Sequence, residues 1–172
     1  CANLAKKHGA PVHAFDMNPS ALAAAVDAGA VAEKSVSDVA NRADIVFLSL
    51  PGGKQVHAVC GEIAAIARSC SIVVDLSTTA VEDARVASRM LAAANGIAFA
   101  DAPVARTRQA AIDGTLSIMV GASQALFARI EPLLRHIGSD VTHCGDVGSG
   151  QVVKVVNNCL LFENVAAIAE MM

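Results

Sequence analysis

The run Asp44-Ile45-Val46-Phe47-Leu48-Ser49-Leu50-Pro51-Gly52-Gly53 decides the fold class. Its first half is apolar almost without interruption, which is how a strand reads when both of its faces are covered. Its second half, ending in proline and two glycines, is a turn. An alanine-rich segment of helical length, residues 54–67, follows at once. The same unit recurs in both directions. Strands are expected at residues 11–16, 44–50, 71–76, 97–101 and 116–121, and helices at residues 19–28, 54–67, 81–95 and 123–136. The first residues, Cys1-Ala2-Asn3-Leu4-Ala5-Lys6-Lys7, also read as helix. Pro19 suits a first helical turn, with Asn18 before it as an N-cap. Strand–helix alternation at this spacing predicts the α/β class, with a doubly wound, mainly parallel sheet.

A length of 172 residues suits one domain, or one plus a piece of another. Apolar residues make up 54% of the chain, too many for a disordered polymer. The net charge of −3 supplies no basic surface, so neither nucleic acid nor a membrane is an expected partner. No apolar run approaches the ~18–20 residues of a membrane span. The cysteines at positions 1, 60, 70, 144 and 159 form no C-x-x-C pair and read as reduced, buried thiols of a cytoplasmic protein. No histidine spacing suggests a metal site, and none is expected.

In open α/β sheets ligands bind beyond the carboxyl ends of the strands. Those ends are Asp16-Met17-Asn18, Leu50-Pro51-Gly52-Gly53, Asp75-Leu76-Ser77-Thr78 and Asp101-Ala102-Pro103-Val104. Asp16 has two readings. It closes the strand at which a dinucleotide fold receives the adenosine ribose, where a carboxylate accepts from the hydroxyls and repels a 2′-phosphate, favouring NAD over NADP. Alternatively it joins Asn18 and Ser20 in capping the next helix. A glycine-rich G-x-G-x-x-G turn would begin about 20 residues before such an acidic residue, and only 15 residues precede Asp16. The chain also opens on a helical pattern and closes on Ile168-Ala169-Glu170-Met171-Met172 with no glycine or proline to stop one, so it is expected to be a piece cut at both ends, its first strand missing.

The other informative stretch is Gly145-Asp146-Val147-Gly148-Ser149-Gly150-Gln151-Val152-Val153-Lys154-Val155-Val156-Asn157-Asn158. Its glycines allow close backbone approach before a helix whose N-terminus attracts an anion. Lys154 and Asn158, four apart, share one helix face. An isolated lysine among valines is expected to be partly desolvated, which lowers its pKa toward the range useful for proton transfer. A lysine snorkelling off an apolar helix is the alternative.

These residues, with Phe15-Asp16-Met17-Asn18-Pro19, Gly114-Thr115-Leu116 and Met119-Val120-Gly121, resemble the β-hydroxyacid dehydrogenase family, which includes 3-hydroxyisobutyrate dehydrogenases and tartronate semialdehyde reductases. The resemblance follows one order over essentially the whole chain. It implies a Rossmann-type dinucleotide-binding domain over residues 1–146, lacking its first strand and glycine turn. Residues 147–172 would begin a long interdomain helix leading to an absent helical domain, through which such enzymes form homo-oligomers. The implied activity is hydride transfer between NAD(H) and a small anionic β-hydroxyacid or its semialdehyde, with the piece alone inactive. By the same resemblance Leu50, Pro51, Gln55 and Thr78 line the dinucleotide, with Asp16 at the ribose. Lys154 is the proton donor and acceptor, and Asn158 orients the substrate oxygen.

The chain departs from the family at one place. Most members continue Asp-Ala-Pro-Val with Ser-Gly-Gly, which holds the substrate carboxylate; here Ala105-Arg106-Thr107 follows. Arg106 offers a bidentate, permanently charged clamp for carboxylate, sulfonate or phosphate. With Thr107 it is similar to the substrate loop of sulfolactaldehyde reductases, so both are candidate substrate-binding residues. Three alternatives stand beside this reading. Imine reductases usually replace the lysine present here. 6-Phosphogluconate dehydrogenases carry a histidine where Asn157 stands. A non-catalytic dehydrogenase-like module would serve only in binding or oligomerisation.

Overall fold

The computed structural model describes residues 1–66 and 69–171. Along strand β4 (Ile72–Asp75) every residue is buried, and alternate side chains enter different cores. Ile72 and Val74 join a cluster with Leu4, Ile118, Val120, Ile130 and Leu134. Val73 faces the opposite way, toward Val56, Cys60, Ile63, Ala84, Ala87 and Leu91. A period of two with both faces apolar is what a sheet covered by helices on both sides demands. The continuous apolar runs in the sequence have this cause.

The helices sort accordingly. α1 (Ala2–Lys7), α6 (Arg108–Asp113) and α7 (Gln124–Leu134) supply the first core. α3 (Val36–Arg42), α4 (Gly53–Ile66) and α5 (Val81–Asn95) supply the second. The main sheet runs β3 (Ile45–Leu48), β4, β5 (Ala98–Asp101) in parallel register. β7 (Leu116–Gly121) then lies antiparallel to β5 and to the short β6 (Val104–Ala105), and β8 (Gly138–Gly145) is parallel to β7. β1 (His13–Ala14) and β2 (Val31–Ala32), flanking α2 (Pro19–Asp27), form a separate parallel pair. The doubly wound, mainly parallel α/β expectation holds.

The five expected strands and four expected helices all form, mostly trimmed by a residue or more at their ends. The last residue of the expected helix 54–67 lies outside the described residues. The sequence reading missed β2, α3, β6, α6 and β8. Two of these strands are two residues long, and β8 alternates toward solvent with serine, aspartate and threonine, so no apolar run marks it. α3 starts at the Ser35 cap, whose hydroxyl accepts from the Asp38 amide.

The chain closes with α8 (Ser149–Met171), of which only Gly150 and Gln151 are buried. Its apolar residues point outward all round, from Val152 to Phe162, 70% exposed, and Met171. One expectation is corrected here. At 23 residues and mean hydropathy 1.4 over its most apolar window, α8 is long and apolar enough, by length and composition, to cross a membrane. Charges interrupt the run without lowering the average below that threshold. All five cysteines are free thiols, but only Cys60 and Cys70 are buried as expected; Cys144 is half-buried, and Cys1, at the N-cap of α1, and Cys159, on the outward side of α8, are exposed. Burial pushes the Cys60 thiol up to about 12.

Candidate active site at the carboxyl ends of the strands

Val73 and Phe99 face the α4–α5 side, and two residues further on the same rows end in carboxylates, Asp75 and Asp101. Both are fully buried, register partners on adjacent strands, and burial raises the pKa of each. The sequence reading offered both strand ends as ligand-facing; the structure turns their acids inward. Asp101 Oδ1 accepts from the Gly148 amide at 2.6 Å and Oδ2 from the Gln151 amide at 2.9 Å, with the Gly150 amide also contributing. The anion drawn to the N-terminus of α8 is therefore the protein's own carboxylate, not an external ligand. A side chain at Gly150 would collide with the Met119 carbonyl and the Asp101 carboxylate, and that contact is why glycine is needed there.

α8 leaves this anchor with two polar side chains on its inner side. From residue 152 to 160, Lys154 and Asn158 alone are half-buried, and every other residue is exposed. Burial lowers the Lys154 pKa. The flanking valines are themselves exposed.

The loops after β3 and β4 sit side by side. The Leu50 amide donates to the Ser77 hydroxyl at 2.9 Å, and the Ser77 amide and hydroxyl both bond Asp75. Ser77 and Thr79 are buried, leaving Thr78 between them exposed at the sheet edge. Pro51 and Gln55 are exposed on the adjoining turn, where the Gln55 amide donates to the Gly52 carbonyl to open α4. Asp16 lies just past β1, exposed, its Oδ1 accepting from the Asn18 amide at 2.8 Å, while Asn18 caps α2 through the Ser20 amide. The capping alternative thus describes one carboxylate oxygen of Asp16.

Arg106 and Thr107 occupy the opposite side of the sheet. They line a cleft of about 530 Å³ with Ser49, Leu76, Val104 and Arg108. Arg106 adopts φ +83°, in the left-handed region, where a non-glycine residue is uncommon and marks local strain. Its guanidinium is anchored, with Nη1 donating to the Thr115 carbonyl at 2.6 Å and the Ser139 hydroxyl at 3.1 Å. Thr107 caps α6, accepting from the Ala110 amide at 3.4 Å. These anchors lie at the Leu116 end of β7, whereas the first turn of α8 is rooted at the Gly121 end.

The structure thus brings Lys154 and Asn158 onto one side of α8, and Leu50 beside the Ser77–Thr79 loop. Among the described residues no three His, Cys, Asp or Glu side chains are grouped to hold a metal ion. Sequence reasoning missed Gln151, fully buried, whose Nε2 donates to the Ser77 carbonyl and whose Oε1 accepts from the Thr79 amide. A signal was available: positions 151, 154 and 158 recur at i, i+3 and i+7 as one polar stripe on an apolar helix.

Comparison with known proteins adds the following. Residues 1–145 match the family described as the NAD binding domain of 6-phosphogluconate dehydrogenase. The chain is 41% identical over 167 residues to 2-(hydroxymethyl)glutarate dehydrogenase of Eubacterium barkeri, covering 95% of this chain and 55% of that protein. It is 38% identical over 172 residues to 3-hydroxyisobutyrate dehydrogenase of Pseudomonas aeruginosa, covering 98% and 57%. The solved 3-hydroxyisobutyrate dehydrogenase of Mycobacterium tuberculosis with L-serine superposes at TM-score 0.93 with 34% identity, over 98% of this chain and 57% of that one. An imine reductase variant from Myxococcus stipitatus in complex with NAD+ shares the fold alone, at TM-score 0.87 and 17% identity over 98% of this chain and 58% of that one. The chain spans a little over half the length of these curated relatives.

Proposed function

The chain belongs to the family of the NAD binding domain of 6-phosphogluconate dehydrogenase, and from that premise we propose that it is the cofactor-binding part of an NAD-dependent hydroxyacid dehydrogenase. The substrate is a small anionic β-hydroxyacid or its semialdehyde. Residues 1–146 form the dinucleotide domain, and residues 147–172 begin the helix leading to a second, helical domain. One observation carries the reading: the only lysine of α8 is half-buried beside Asn158, on a helix whose other residues from 152 to 160 face solvent, and its pKa is lowered by that burial.

The residues at the strand ends suit a dinucleotide. Asp16 presents a carboxylate past β1 with no lysine or arginine before Lys34, which favours NAD over NADP. Leu50, Pro51, Gln55 and Thr78 present exposed or half-buried groups on adjoining turns, the arrangement that lets backbone and short side chains follow an extended ligand. A bound nicotinamide supplies or accepts the hydride. Lys154 handles the proton: as ammonium it donates to the forming alkoxide oxygen, and as free amine it withdraws the hydroxyl proton in the oxidative direction. Asn158, one turn on, holds that oxygen. Arg106 and Thr107 border the cleft that Ser49 and Leu76 share at the carboxyl ends of β3 and β4, and bind the anionic end of the substrate. The guanidinium keeps Nη2 and Nε for this role beside the bonds made by Nη1.

The exposed apolar faces of α8 belong to the same proposal, since a helix with this surface is covered in the assembled, homo-oligomeric protein. The free thiols suit a reducing compartment, and the cytoplasm is the proposed one.

The test is turnover of the full-length protein on a panel of hydroxyacids with NAD and NADP. Lys154→Ala is expected to lower kcat by about 10²–10⁴-fold while dinucleotide binding is retained. The oxidative rate of the wild type is expected to rise with pH through the lowered Lys154 pKa, and the reductive rate to fall. Unchanged turnover in Lys154→Ala overturns the proposal.

A further inference from the structure

Gln151 is a buried residue that bonds both halves of the proposed site. Its backbone amide donates to Asp101 Oδ2 at 2.9 Å, which holds the first turn of α8 on the end of β5. Its side chain spans to the loop after β4, donating to the Ser77 carbonyl at 2.8 Å and accepting from the Thr79 amide at 3.1 Å. A primary amide is the group that can do both, because its two ends carry opposite hydrogen-bonding character. The residue between its partners is Thr78, turned outward. The residue three positions on, along the same helix face, is Lys154.

We infer that Gln151 is a positioning residue that clamps the Ser77–Thr79 loop to the root of α8, so that the loop facing the dinucleotide and the helix carrying the proton-transfer amine keep one register. The inference rests on the dehydrogenase reading given above. The clamp is rigid for a physical reason: it is buried, so water offers no substitute partner and both bonds must be made at once. The Ser77 hydroxyl extends the same clamp to the Leu50 amide on the neighbouring loop. Displacing the loop relative to the helix changes the distance between cofactor and amine, and misplacement by about 1 Å costs on the order of 100-fold in rate.

The experiment uses the full-length enzyme with Lys154→Ala as reference. Gln151→Met keeps the volume and removes both side-chain bonds. It is expected to lower kcat/KM by about 10–100-fold, through a lower kcat together with a higher KM for the dinucleotide, with the KM for the hydroxyacid changing less. Gln151→Glu supplies the readout that mere loss of packing does not move. The ionised carboxylate repels the Ser77 carbonyl, whereas the protonated acid donates to it as the amide does. Its kcat/KM relative to wild type is therefore expected to recover as the pH falls, while the Gln151→Met deficit stays constant. If Lys154→Ala retains turnover, the dehydrogenase reading itself fails. If Lys154→Ala is inactive while Gln151→Met keeps wild-type kcat and dinucleotide KM, the positioning role alone is overturned. If Gln151→Met does not fold, the Gln151→Glu pH profile decides, and a flat profile, or failure of both variants to fold, assigns Gln151 to structure only.

Discussion

α5 and α8 both start near the carboxyl ends of the strands, and they are held there in different ways. α5 buries a stripe of Ala84, Ala87 and Leu91, each fully covered, with Met90 packed beside it, while Glu82, Asp83, Arg85, Ser88, Arg89 and Asn95 make up its polar part. Glu82 and Asp83 in its first turn favour the positive end of the helix dipole. α8 is the more apolar helix and buries only Gly150 and Gln151. Its attachment is polar: three backbone amides on one carboxylate, and one side-chain amide across to the next loop. Apolar content therefore does not measure burial. Periodicity does, because only a stripe at helical spacing gives a core something to cover.

The contrast can be broken most directly at Leu91. Leu91→Ala in α5 is expected to cost about 2–5 kcal/mol, measured by urea unfolding of this chain; a loss below 1 kcal/mol would mean that α5 is not held by its stripe. Next comes the root of α8. Asp101→Asn sets an amide donor against backbone amides and is expected to cost about 1–3 kcal/mol, with a pH signature that α5 variants lack. Burial raises the folded-state pKa of Asp101 above the ordinary 3.8, so the native chain holds a proton that the unfolded chain has lost. That contribution is complete below pH 3.8 and declines as pH rises toward the folded-state value. The deficit of Asp101→Asn is thus expected to be largest near pH 4 and to shrink toward neutrality, while that of Leu91→Ala stays flat; a deficit that grows with pH would reverse the assignment. The smallest effect lies on the outer turns of α8, where Phe162→Ser is expected to change stability of this chain by no more than about 0.5 kcal/mol. A large loss there would show that the helix is held by packing after all.

Much of the fold was legible. The apolar runs at 45–48 and 72–75 announced a sheet covered on both faces, and they do enter two cores. Lys154 and Asn158 were legible as a facing pair from their spacing alone. β8 was not, because its alternating polar residues carry no apolar run. The destination of the glycine-flanked start of α8 was not legible either. A helix N-terminus after glycines reads as a site for an external anion until the fold supplies an internal one. Arg106 likewise reads as a free clamp, and only the structure shows its Nη1 anchored to Thr115 and Ser139 on a strained backbone.

Sequence alone determined which residues share a face, since the periods of strand and helix act between near neighbours and need no knowledge of the rest of the chain. Tertiary structure alone decided that Asp101 holds α8 and that Gln151 holds the loop after β4. Those bonds join residues 50 and 74 positions apart, and strand order brings such distant groups within hydrogen-bonding reach.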